Sequence, residues 1–496
     1  VSVLFTDVLV YRPDGPVGPT DVLVDGQRIA AIGPALGRTG TETVAGRGRH
    51  LLIPGLINAH FHSPANHLKG SLSSMPLEMF MLYESSADPE ARPSPREAYL
   101  RTMLGAIEML RTGTTSVQDD AFLMPSPDPE IIDAVMLAYQ DSGMRASVAL
   151  DQPELAETDK LPYVAALAGP DLELPRATSR AELLECYDYL FARWHGAADG
   201  RLTGAVSISA PQRVSPEYFE ALDQLSREHR VPLYAHMLET KVQRVLAREQ
   251  ARFAGRSLVR YTADLGLLNE RTNVIHAVWV DDLDLDLIAE AHAVIVHNPV
   301  SNLRLGSGVM PFRAARRRGI PVALGVDEAI CNDAVDMWNV VRMTGLIHNI
   351  TSADSSEWPS TSEVLDALWS GGAAAMLRGD QLGEVRVGAR ADLALVDLHT
   401  SAFTPMNDIR GQLVYCESGT SVVLTMVDGR IVARDGKVVS VDETALLDEA
   451  REVFAAGQQR RMRLGADADR RLPLYREVVR RSAGVDVGLS RRVEAR

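Results

Sequence analysis

Apolar and polar positions along the chain fall into three textures. The first fifty residues alternate over short runs, VSVLFTDVLVY, then PDGP, then DVLVDGQRIAAIG, with a hairpin-type turn at Asp25-Gly26. The same texture returns near the C-terminus in RADLALVDL and SVVLTMVDGRIVARDGKVV, with turns at Asp428-Gly429 and Asp435-Gly436. The runs VDGQRIAAIG and VDGRIVARDGKV even share a Val-Asp-Gly start. Two separated β segments of one texture, flanking a different middle, predict a small sheet domain assembled from both chain ends.

The middle alternates strand-like apolar runs with helical patterns. In order the strands read LLIPGLINAH, TTSVQDD, MRASVAL, TGAVSISA, VPLYAHM, TNVIHAV, AVIVHNP and PVALGVD. Between them lie helical stretches such as PREAYLRTMLGAIEMLRTG and PEIIDAVMLAYQDSG, which Gly113 and Gly143 are placed to stop. Strands alternating with helices mean a parallel sheet with helical crossovers, and eight strands is the count that closes an α/β barrel. An open doubly wound sheet is the rival, but no G-x-G-x-x-G turn follows an early strand to support it. The predicted division is a composite β domain over 1–53 and 376–440, a catalytic barrel over 54–375, and a C-terminal helical extension over 441–496. The extension reads as one or two amphipathic helices, TALLDEAREVFAAGQQRRM and LPLYREVVRRS. Whether they pack over the barrel or against a partner subunit is open at this level, and a homodimer is compatible with their charge.

Composition narrows the class. The 496 residues are 46% hydrophobic and 24% charged, an ordinary globular profile. Cys186, Cys331 and Cys416 form no metal-like pair, which fits a reducing cytoplasm rather than a disulfide-built secreted protein. A net charge of −15 gives no basic face for nucleic acid, because the arginines near the C-terminus are interspersed with acids. Neither a signal peptide at the N-terminus nor an apolar run of about 18 residues is apparent, so a cytoplasmic enzyme without a membrane span is the expectation.

Candidate chemistry gathers at strand ends. His60-Phe61-His62 closes the first middle strand, and alternation on a strand turns both imidazoles to one face. Alone, an H-x-H pair is weak evidence for a metal. However, His236, His276, His297 and Asp327 close four further strands, at intervals of 40, 21 and 30 residues, the lengths of single βα repeats. Sites in such barrels are built at that C-terminal face. Histidines gathered with a carboxylate at one face suit a divalent metal, zinc first, with iron or manganese as alternatives. Glu239, three residues after His236, is placed to act as general base and acid. Asp327 has two candidate roles, metal ligand and orienter of water. His67, Lys69, His292 and His348 lack such company and are assigned to packing or surface.

The segments PGLINAHFH, EMLRTGTTSV, HMLET, HAVWVDD, HNPVSNLRLGSG, LGVDEAICND and GEVRVGARADLALVDL closely resemble the atrazine/triazine hydrolase and cytosine deaminase-like branch of the amidohydrolase superfamily. The resemblance covers about residues 1 to 440. It implies a distorted (β/α)8 TIM barrel with a small β-sandwich built from both chain ends. It also implies one metal on His60, His62, His236 and Asp327, a proton-shuttling Glu239, and a water- or substrate-bonding His276. The implied reaction is hydrolysis of a small molecule by water, foremost deamination at an amidine-like carbon of an amino-heterocycle or guanidine compound. Cyclic amide hydrolysis, dechlorination and a non-catalytic binding protein are the alternatives. Two departures stand out: Trp279 replaces a second histidine common after the sixth strand, and Glu328 follows the aspartate where relatives often have glycine. Glu328 is a candidate for a cationic substrate group, Arg213 for an anionic one, and His297 for a further substrate contact. The Met- and aromatic-rich segment 73–83 is either a lid or an amphipathic helix packed on the barrel.

Overall fold

The computed structural model describes residues 2–37, 41–86, 88–170 and 172–492. Five N-terminal strands, β1 (Ser2–Val10), β2 (Val17–Asp25), β3 (Arg28–Gly33), β4 (Glu42–Ala45) and β5 (His50–Pro54), share one sheet with four C-terminal strands. In chain order these are β15 (Leu393–Asp397), β16 (Val422–Val427), β17 (Arg430–Arg434) and β18 (Lys437–Val438). The two chain ends meet where β5 pairs antiparallel with β15, Leu52 opposite Leu395. Turns at Asp428-Gly429 and Asp435-Gly436 have positive φ at both central residues, the type I′ geometry that matches strand twist. The N-terminal hairpin turns one residue later than the pattern suggests: Asp25 still pairs with Arg28, and Gly26-Gln27 make the turn. The repeated Val-Asp-Gly segments meet in space, since a Cβ at Gly429 would lie 1.9 Å from the Gly26 carbonyl oxygen.

Between these ends lie the middle strands: β6 (Leu56–Phe61), β7 (Thr114–Ala121), β8 (Arg145–Leu150), β9 (Leu202–Gly204), β10 (Val206–Ser207), β11 (Leu233–Met237), β12 (Thr272–His276), β13 (Val294–His297) and β14 (Val322–Leu324). All their pairings are parallel, in two sheets running β6 to β9 and β10 to β14. Nearly every residue in them is buried, as expected of parallel strands covered on both faces. The segment read as one strand, TGAVSISA, is two short pieces. Around the break, the Ala205 N–H donates to Val148 and the Val206 N–H to Pro232, so the chain passes from one neighbour to the other. Across the remaining gap, an isolated parallel bridge joins Phe61 to Asp327, and the Asp327 N–H donates to the His60 carbonyl at 2.9 Å.

Helices between the strands begin and end on local signals. Ser94 and Glu97 form a capping box at the start of helix Pro95–Arg111. Helix Pro129–Ser142 starts at an Asp128 cap and stops at Gly143, whose φ of 82° is left-handed. The 73–83 segment becomes the helix Leu77–Glu84. The C-terminal extension is two helices, Glu443–Ala456 and Gln458–Ala483. The second runs through Pro473, where the sequence suggested a new helix would begin. It lies on Leu77–Glu84 and on helix Lys241–Glu249, over the strand ends. Among the described residues no helix is long and apolar enough to cross a membrane.

Candidate active site

Four imidazoles and one carboxylate converge where β6, β11, β12 and β14 end. His60 and His62 approach Asp327 Oδ1 at 3.5 and 3.6 Å, and His236 Nε2 lies 3.2 Å from His60 Nε2. His276 Nε2 stands 3.8 Å from Asp327 Oδ2 and 3.5 Å from Glu239 Oε2. All six side chains are buried. Asp327 lies three residues beyond β14 rather than on it. Its backbone bond to His60 holds it there, and Gly325 makes the approach possible, because a Cβ would sit 2.8 Å from His60 Cβ.

The backbone around this cluster is strained. Ser209, Leu238, His276, Ala277 and Asp327 all have positive φ without being glycine. Such conformations persist only where surrounding structure imposes them, and they concentrate at functional sites.

Hydrogen bonds away from the centre set the imidazole tautomers. The Nδ1–H of His62 donates to the Asp120 carbonyl, and that of His236 to the Ser209 carbonyl at 2.7 Å. A carbonyl only accepts, so both rings present an Nε2 lone pair to the centre, as metal-ligating histidines do. His276 Nδ1 donates to Asn302 Oδ1 at 2.9 Å, with Asn298 Nδ2 nearby at 3.3 Å. The asparagines of the HNPVSN segment thus orient His276.

Burial dominates the electrostatics. It lowers the pKa of His60 to about 4 and pushes His236 well below the usual imidazole value, neighbouring imidazoles adding to the effect on His236. Burial would raise Asp327, but the bond to His60 and the surrounding histidines overcome it and hold the carboxyl ionised. Burial, then the charges of Asp327 and Glu78, push Glu239 well above the carboxylate range. His60 and His236 are thus biased toward the neutral form and Glu239 toward the protonated one, beside an ionised Asp327.

Other candidates take different places. Arg213 lines the pocket, donating to Ser209 Oγ at 3.0 Å and to Met81 Sδ at 3.1 Å, with no ion pair among the described residues. Glu328 also lines it, buried and hydrogen-bonded to Glu84; burial and then that facing carboxyl push its pKa well up. His297 does not line the pocket. Its Nε2 lies 3.2 Å from His348 Nε2 in a separate buried pair. Trp279 is buried, and its indole N–H donates to the Ser307 carbonyl.

Several residues lining or flanking the pocket escaped sequence reasoning. Asp151 follows β8, and one of its oxygens groups with His62 and His236 within 4.8 Å. Asp120, on β7, accepts from Ser207 Oγ at 3.0 Å and faces His236. Both are carboxylates at strand ends, the signal that singled out the histidines. Glu78, Glu84, Arg471 and Tyr475 come from the 77–84 helix and the C-terminal helix, and no local pattern points to them.

A buried imidazole–carboxylate cluster with a buried glutamate beside it, at the C-terminal ends of parallel α/β strands, defines a metal-dependent hydrolase class. The amidohydrolase family model matches residues 51–432, and the chain belongs to that family. It is an enzyme acting on carbon–nitrogen bonds. It is 32% identical over 445 residues, 89% of this chain and 94% of the relative, to a 5-methylthioadenosine/S-adenosylhomocysteine deaminase of Halobacterium salinarum. It is 28% identical to a 5'-deoxyadenosine deaminase of Methanosarcina mazei, covering 90% and 95% of the two chains. Among solved structures, a zinc-bound adenosine deaminase from Xanthomonas campestris superposes with a TM-score of 0.77 at 26% identity, covering 91% and 97%. A zinc complex of atrazine chlorohydrolase from Arthrobacter aurescens TC1 gives 0.79 at 22%, covering 91% and 100%, and shares the fold.

Proposed function

We propose that this chain is a mononuclear metal-dependent deaminase of an amino-heterocycle, with a 6-aminopurine nucleoside as the first substrate class to test. The two relatives named as deaminases of adenine nucleosides support that class. The observation that carries the reading is Glu239, a buried carboxyl 3.5 Å from His276 Nε2 and beside Asp327, where burial favours its protonated form. An amine leaving group needs a proton, and a chloride does not. His60, His62, His236 and Asp327 fit one divalent ion, since two of the imidazoles have Nδ1 committed to backbone carbonyls and Asp327 is ionised. Zinc suits this donor set, and when bound it supplies an acidified water and a Lewis acid.

In this reading Glu239 takes a proton from the attacking water and passes it to the ring nitrogen next to the attacked carbon, then takes the adduct's hydroxyl proton and hands it to the amino group, which leaves as ammonia. His276, aimed by Asn302, and Asp327 hydrogen-bond the oxygen that adds to that carbon. Glu328 and Glu84 accept hydrogen bonds from polar groups on the substrate's far side, and Arg213 binds an electronegative one. We read the eight parallel segments as a closed, distorted barrel over 54–375. The composite sheet is then a sandwich from 1–53 and 376–440, and 441–496 a helical extension.

The test is ammonia release from the zinc-loaded protein with 5'-deoxyadenosine, 5'-methylthioadenosine, adenosine, cytosine and amino-triazines. Release with an adenine nucleoside supports the reading. A ring-opened acid formed without ammonia, or chloride release alone, sinks it.

A further inference from the structure

A second cavity of about 550 Å³ adjoins the catalytic pocket, and the two share Leu82, Glu84, Ser86, Phe122 and Met124 as common wall. Its far side is basic. Arg101 comes from helix Pro95–Arg111, Arg460 and Arg461 from the C-terminal helix, and His67 from the short helix after β6. Only Arg460 has a carboxylate partner, Glu97. The guanidinium groups of Arg101 and Arg461 make no hydrogen bond or ion pair with any described residue, and Arg101 Nε is fully buried without a partner. Burial lowers Arg101 to about 10; the nearby Glu97 carboxylate opposes the shift, and the charges of Arg460 and Arg461 add to it. Burial first, and then Arg101, keep His67 neutral.

Unpaired guanidinium groups in a partly enclosed chamber are costly to desolvate unless something anionic compensates them. The catalytic pocket next door carries Glu78, Asp151, Glu157, Glu239, Asp327 and Glu328 against Lys160, Arg213 and Arg471, with Glu84 in the shared wall, so the balance of charge changes sign between the two. Planar guanidinium forks match phosphate and carboxylate oxygens in pairs.

We infer that this chamber is a binding site for an oxyanion of the phosphate or carboxylate type, held by Arg101 and Arg461 with Arg460 alongside. The anion is either borne by the substrate, reaching across the shared wall, or free in solution. Two arms of one experiment test the site and separate the sources.

In the first arm, inorganic phosphate is titrated into the metal-loaded protein by calorimetry at constant ionic strength. Saturable binding is expected, weakened at least about ten-fold in R101Q and in R461Q. Because R461Q alters a partly exposed helix residue, it keeps the test usable if R101Q fails to fold. No saturable binding in the unmodified protein, or binding unchanged in R461Q, overturns the inference.

In the second arm, adenosine is compared with adenosine 5'-monophosphate, and this arm alone rests on the deaminase reading. A gain of about ten-fold for the monophosphate that disappears in R461Q assigns a substrate-borne anion. Phosphate binding without that gain assigns a free anion. If neither nucleoside binds while phosphate does, the purine reading fails and the anion site stands.

Discussion

At the scale of single residues, buried groups carry the function and also shape the pH response. In the proposed reaction Glu239 is the proton carrier, and a positioned acid–base group contributes roughly 10²- to 10⁴-fold to rate. E239Q keeps the shape and removes the proton traffic. It should lower kcat by that range while retaining bound metal, measured as ammonia release against metal content. A variant that lost metal in proportion to activity would instead make Glu239 a structural support. The His297–His348 pair acts on stability rather than catalysis. Burial pushes His348 down to about 3 and His297 well below its usual value, so both are neutral in the folded protein. Unfolded imidazoles take up protons below about pH 6.5, and the folded pair does not. Their contribution is therefore complete above that pH and lost as pH falls toward the folded values. Melting temperatures at about pH 7, 6 and 5 should fall, and H348Q should flatten the slope. An unchanged slope would show that the pair is not what responds.

At the scale of elements, the join between the composite sheet and the parallel strands is an ion cluster. Arg145 on β8 forks onto Asp392 at 2.6 and 3.0 Å and reaches Asp428 at 2.8 Å, and all three side chains are almost wholly buried. Asp428 also takes Arg390, and its N–H donates to Asp392. Removing the central cation strands the buried Asp392 and leaves Asp428 on Arg390 alone, a loss of about 3–5 kcal/mol for such clusters. R145A should unfold at markedly lower denaturant, with R145M less affected because it refills the space. Equal unfolding midpoints for R145A and the parent would contradict this role.

At the scale of the whole molecule, the site depends on parts far apart in sequence. The C-terminal helix lies over the strand ends and reaches the rest of the chain through Arg463–Glu90 and Tyr83–Asp469 contacts, while Arg96 pairs with Glu449 on the preceding helix. Arg471 and Tyr475 from that helix complete the pocket wall. The proposed ligands come from the ends of three strands, β6, β11 and β14, so bound metal would clamp the native state, adding about 4 kcal/mol at a thousand-fold excess over its Kd. Chelation should lower the melting temperature by several degrees and abolish activity, and zinc should restore both. A chelated protein with an unchanged melting temperature and full activity would refute the metal reading.

The order of strands and helices, the paired hairpin turns and the histidines at strand ends were all legible in the sequence. Each follows from local rules: alternation, helix caps, glycine at positive φ, and one strand end recurring every βα repeat. Asp327 was legible for the same reason, although its place beyond β14 depends on a backbone bond to β6. Other features were decided only by tertiary structure. His297 carries the same strand-end signal as His276, yet it turns to His348 while His276 turns inward, held by Asn302. Asp151 enters the pocket from the end of β8, and Asp120 on β7 comes to face His236, through packing that joins strands distant in sequence. The C-terminal helix roofs the site through contacts spanning hundreds of residues. Periodicity reports which face of an element is buried. What that face meets is settled only when distant elements pack.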